Sequence, residues 1–147
     1  MRALCRRGSA LALCALLGSS CGRFHQAREC GTFVKTVNRW LASPNARTVT
    51  TSASSDPKQI ASQARATAEH YAELSRTLAA LQIQAEELRP RVKRYQDIAS
   101  DAARTLRDVA DSLDRGDLEH ARRARVDFDT VAQGEAPLVA EINEICR

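Results

Sequence analysis

No apolar run in this 147-residue chain is long enough to cross a membrane. The longest, Ala10 to Leu17, holds eight residues, and a spanning helix needs about 20. Metal and haem signatures are missing as well. His25, His70 and His120 pair with no second His or Cys at helical ligand spacing, and no Cys-x-x-Cys-His run offers haem attachment. Glu-x-x-His pairs, which build carboxylate metal bundles, do not occur. Neither does a Gly-rich phosphate loop or a nucleophile motif. Glu86 and Glu87 are adjacent, so on a helix they point to different parts of the surface. No catalytic, cofactor-binding or metal-binding residue is therefore nominated, and the three histidines are read as exposed side chains.

A basic surplus is missing too once the chain is divided. The net charge is +4, but residues 1–20 carry Arg2, Arg6 and Arg7 and no acid. Residues 21–147 hold 19 basic against 18 acidic side chains, a net +1. A nucleic-acid partner needs a clustered positive surface, so none is expected. Arg122, Arg123 and Arg125 look like such a patch. On a helix, however, Glu119, Asp127 and Asp129 lie within three or four residues of them, the spacing of exposed ion pairs. Arginine outnumbers lysine 19 to 3, which reads as the codon usage of a high-GC genome.

What is present begins with the first 21 residues. A positive start, the short apolar run, and the small residues Gly18, Ser19 and Ser20 are the parts of an export signal. The stretch Leu17-Gly18-Ser19-Ser20-Cys21 resembles the lipobox of bacterial lipoproteins, with Gly18 standing where the usual leucine would be. The resemblance implies that residues 1–20 are removed and that the Cys21 thiol takes a diacylglycerol. Cys21 then becomes the first residue, and its lipid holds the protein to a membrane of a Gram-negative envelope. Residue 22 is Gly rather than Asp, which leans towards the outer membrane over the inner one. Ordinary cleavage nearby, leaving Cys21 free or disulfide-bonded, is the plainer alternative.

Cysteine counting bears on that choice. Cys5 and Cys14 lie in the removed segment, and Cys21, Cys30 and Cys146 remain. An odd count in an oxidising compartment leaves one thiol over. With Cys21 lipidated, Cys30 and Cys146 are free to pair.

The rest predicts an all-α protein, an antiparallel bundle of three to four helices. Ile60, Ala64, Thr67, Tyr71, Leu74, Leu78, Leu81, Ala85 and Leu88 follow one another at alternating steps of four and three. Val92, Tyr95, Ala99, Ala102, Leu106, Val109 and Leu113 do the same, giving one apolar stripe per helix. Asp56-Pro57 opens a helix with a cap and a proline at its first position. Arg115-Gly116-Asp117 stops one helix and caps the next. Helices are expected over about 57–82, 88–115 and 117–146. The last carries Leu118, Ala121, Phe128 and Val131, then Leu138, Ile142 and Ile145, and breaks near Gly134 and Pro137. A shorter helix over Glu29–Leu41, with Phe33, Val37, Trp40 and Leu41 on one side, belongs to an N-terminal segment, 21–42. The Ser/Thr-rich stretch 43–56 is expected to be a linker.

The stripe passes through Pro90 in phase, yet one helix over 57–115 would be roughly 90 Å long, too long for a domain of this size. A reversal is therefore placed within Gln82–Pro90. In a four-helix up-down bundle, the start of the first helix and the end of the last share one end. That arrangement brings Cys30 and Cys146 within disulfide reach.

Three function classes are open. A structural or protein-interaction module of the envelope, with an envelope protein as partner, fits the stripes and the missing chemistry. A periplasmic ligand- or metal-binding bundle needs polar groups on the inner faces, where only Thr67 and Glu135 qualify. An enzyme is not expected, because no acid–base or nucleophile set is assembled.

Overall fold

The computed structural model describes the backbone of residues 12–43 and 56–147, with side chains from Phe24 onward. Residues 1–11 of the expected export signal, the Cys21 side chain and residues 44–55 of the expected linker lie outside the described residues. The helices are α1 (Ala12–Leu41), α2 (Pro57–Ala79), α3 (Leu88–Asp114), α4 (Leu118–Gln133) and α5 (Glu135–Ile145). Among the described residues there is no strand. The all-α antiparallel bundle expected from the stripes is the observed architecture, with α4 and α5 forming one broken rod.

Each helix end has a local cause. Asp56 caps α2, its carboxylate accepting from Lys58 N at 3.0 Å, with Pro57 in the first turn. At the end of α3, Gly116 adopts φ +75°. Gly116 N donates to Leu113 O and Asp117 N to Ser112 O, the paired bonds of a Schellman stop. A Cβ at Gly116 meets no atom within 4 Å, so a side chain there costs only backbone strain, about 1–2 kcal/mol. Asp117 then caps α4 by accepting from His120 N at 2.9 Å. The break between α4 and α5 falls at Gly134, as the Gly134–Pro137 signal predicted.

The reversal between α2 and α3 lies over 80–87, so α2 stops at Ala79 rather than near residue 82. "LQIQAEELR" is poor in turn formers, and the reason it turns is tertiary. The buried Glu29 carboxylate of α1 accepts from Gln84 N at 2.9 Å and Ala85 N at 2.8 Å. These two amides are thereby satisfied away from water. The stripe keeps its use through the turn, since Ile83 and Leu88 are buried there and Leu81 and Ala85 pack on the same cluster.

The bundle has two unlike halves. Glu29 meets the α2–α3 turn while Trp40 meets His70 midway along α2, so α1 runs antiparallel to α2 and covers only half of it. In that four-helix half the core is large: Phe33, Leu74, Leu78, Ile83, Leu88, Val92, Tyr95, Leu138 and Ile142. In the other half, with three helices, it is small: Ala61, Ala64, Val109, Ala110 and Ala124. Small side chains let α2, α3 and α4 approach closely where no fourth helix fills the middle.

Three expectations about burial are corrected. Leu41, expected on one side with Phe33, Val37 and Trp40, is 50% exposed at the end of α1. Leu118 is 63% exposed, because the inward row of α4 is Ala121, Ala124, Phe128 and Val131. One step of four back from Ala121 reaches the cap Asp117, not Leu118. His70, expected on the surface, is buried. Thr67, His70, Leu74 and Leu78 all face inward on α2. A helix packed against two neighbours buries a stripe wider than the 4-3 row.

Candidate functional site

Two clefts that gather polar groups lie where α1 joins the bundle. The first is at the end held by the cysteines. Cys30 of α1 and Cys146 after α5 form a disulfide, with Cα atoms 5.6 Å apart. Gln26 Nε2 donates to Ile145 O at 3.1 Å, and His25 Nδ1 lies 3.1 Å from Glu29 Oε1. Beside the disulfide is an open cleft of about 280 Å³ lined by Gln26, Ala27, Cys30, Ile145, Cys146 and Arg147.

Glu29 is the chemical centre of this end. Burial pushes its pKa up, but the amides of Gln84 and Ala85, with the charges of His25 and Arg28, prevail and leave it lowered. A carboxyl lowered by folding stabilises the fold fully above its unfolded value, and the gain is lost as pH falls through the folded one. The window is therefore acid, below roughly pH 4. Glu29→Gln is expected to unfold at lower urea at pH 7 and to lose less on acidification to pH 3 than the unaltered chain. Equal losses for the two proteins, measured by far-UV circular dichroism, would remove Glu29 from this role.

The second place is a cleft of about 270 Å³ between α1 and α2, lined by Thr36, Arg39, Trp40, Ser43, His70, Glu73, Leu74 and Thr77. Trp40 stacks on His70, ring centroids 4.7 Å apart and planes 12° apart, and its Nε1 donates to His70 O at 3.0 Å. Ser43 Oγ sits 3.0 Å from His70 Nε2. This contact closes the end of α1: Ser43, expected in the linker, ties the last turn to α2.

The inner polar groups are largely self-satisfied. The hydroxyls of Thr67, Thr105 and Ser112 donate to Gln63 O, Asp101 O and Asp108 O of their own helices. Glu135, the other inner candidate, accepts from the Tyr95 hydroxyl. Burial first, then this hydrogen bond and the Glu135 charge, push the Tyr95 pKa far up, so it stays a phenol and a donor. Tyr71 is pushed up in the same way, chiefly by burial.

The arginine cluster on α4 is paired as its spacing predicts. Arg122 and Arg123 both reach Glu119, and Arg125 reaches Asp129 at 3.1 Å, all exposed. His120 is exposed as expected. Between helices, Arg65 bridges Asp111 and Asp114, and Arg107 reaches Glu69 at 3.0 Å.

Glu29, His70 and Ser43 were not legible as site residues. The partners of Glu29 are 55 and 56 positions away, and no local spacing encodes that. Periodicity did hold a signal for His70, because it shares a face with Thr67 and Leu74. Among the described residues no group of three or more His, Cys, Asp or Glu is placed to hold a metal ion. No helix among them is long and apolar enough to cross a membrane. No family model, no curated protein and no solved structure matches the chain.

Proposed function

We propose that the protein is exported and lipid-anchored through Cys21, and that it works in the bacterial envelope as a structural or protein-interaction module without a catalytic role. It resides on the periplasmic side of the outer membrane, or of the inner one, with an envelope protein as its partner. The observation that carries this reading is the joining of Cys30 to Cys146. Disulfides persist in oxidising compartments. With those two cysteines paired and Cys5 and Cys14 removed with the signal, Cys21 is the one thiol left for a lipid.

The experiment is intact mass spectrometry of the protein expressed in a Gram-negative host, with and without reduction. A mass starting at Cys21 plus acyl chains, gaining about 2 Da on reduction for the two protons a disulfide takes up, is expected. Cys21→Ser is expected to move the protein from membrane to soluble fractions. An unmodified mass that keeps residues 1–20 overturns the reading. The cleft beside Trp40 favours a second reading, a ligand-binding bundle. A rise in melting temperature with a small molecule or metal ion, and no partner captured by crosslinking, would move the conclusion to it.

A further inference from the structure

The anchor and the bundle are joined by one rod. Helix α1 is continuous from Ala12 to Leu41, so the backbone leaves Cys21 without a loop. Nine residues separate Cys21 from Cys30, an axial rise of about 14 Å. The nearest fixed point is closer still. Gln26 is bonded to Ile145 O, five residues and about 7.5 Å from Cys21. Three contacts within little more than one turn of α1 then lock this rod to the bundle: Gln26, the Glu29 carboxylate on the α2–α3 turn, and the Cys30–Cys146 disulfide. A helix held at three points cannot swivel on the bundle as a flexible linker would.

We infer that the bundle stands on the lipid surface with its disulfide-closed end down, the α2–α3 turn (residues 80–87) and the C-terminal residues next to the headgroups. This rests on lipidation of Cys21 and goes beyond it, because a lipid on a flexible tether would leave the bundle free to turn. Phe24 supports the orientation: it is the most exposed large apolar side chain described, at 78%, and lies between the anchor position and the bundle. An exposed Phe ring loses its contact with water by entering the boundary between headgroups and acyl chains. Exposed charges at this end are mixed, Arg28 and Arg147 beside Glu86, Glu87 and Glu144, so the orientation is set by the rod and by Phe24 rather than by charge. The three-helix end, with Arg115–Leu118, then points away, roughly 40 Å up by the 27-residue length of α3.

The orientation is tested by carbodiimide footprinting of exposed carboxylates. The unaltered, acylated protein on phosphatidylethanolamine–phosphatidylglycerol vesicles is compared with Cys21→Ser in solution. Glu86, Glu87 and Glu144 are exposed at the lower end, and Glu119 at the upper. A several-fold loss of labelling at Glu86, Glu87 and Glu144, with Glu119 unchanged, is expected. Acylated, vesicle-bound protein that labels equally at both ends, or is protected at Glu119, overturns the orientation and leaves the tether standing. A mass without acyl chains removes the tether and the orientation together.

Discussion

Replacing Cys30 and Cys146 together with alanine is expected to lower the unfolding free energy by roughly 3–5 kcal/mol. The bond spans 116 positions, almost the whole length of the bundle-forming chain. In the chain-entropy account a closed loop of that size restricts the unfolded ensemble by up to about 5 kcal/mol. The folded side of the balance points the same way. The part of α1 that packs on the bundle is short, and its hold beyond the disulfide rests on Phe33, Val37, Trp40 and the Glu29 contact. Cleaving the bond frees both ends of the rod layer at once, α1 and α5. Urea unfolding of the oxidised protein, the reduced protein and the double variant measures this, and the last two are expected to coincide. A loss under about 1 kcal/mol would mean that the bond is present but constrains little.

Leu138→Ala is expected to cost about 2–5 kcal/mol, the range for deleting a buried leucine with partial collapse of the cavity. Leu138 is fully buried against the four-helix core that holds Leu74, Leu78, Leu88, Tyr95 and Ile142. Helix α5 has 11 residues and is too short to persist without docking. Its docking rests on Leu138, Ile142, the disulfide and the exposed pairing of Glu141 with Arg91. Losing the leucine therefore loosens the whole segment, including the Tyr95–Glu135 hydrogen bond beside the Gly134 break. The control is Leu118→Ala at a 63% exposed position, expected to stay within about 0.5 kcal/mol. Similar losses at the two positions, in the same urea titration, would contradict the observed register of the last rod.

The helices were legible because their causes are local. The 4-3 rows of α2 and α3, the Asp56-Pro57 start, the Arg115-Gly116-Asp117 stop and the Gly134 break all act through residues within one or two turns. The pairing of Cys30 with Cys146 was legible for a different reason. With Cys21 set aside for a lipid, those two thiols were left, and an even number of antiparallel rods returns the chain to its starting end, where they can meet. Leu118 was misplaced because a list of apolar residues skipped Ala124, the small residue that sets the register of α4.

Length, charge balance, the helical stripes and the local signals at Asp56, Gly116 and Gly134 were thus determined by the amino-acid order alone, since each depends on neighbours along the chain or on a count. The turn at 80–87, the stacking of Trp40 on His70 and the split into a large-residue half and an alanine half were decided by the tertiary structure. Each depends on where α1 lies across the others. That placement is set by side chains far apart in sequence, such as Glu29 with Gln84 and Trp40 with His70, and no periodicity within a single helix records it.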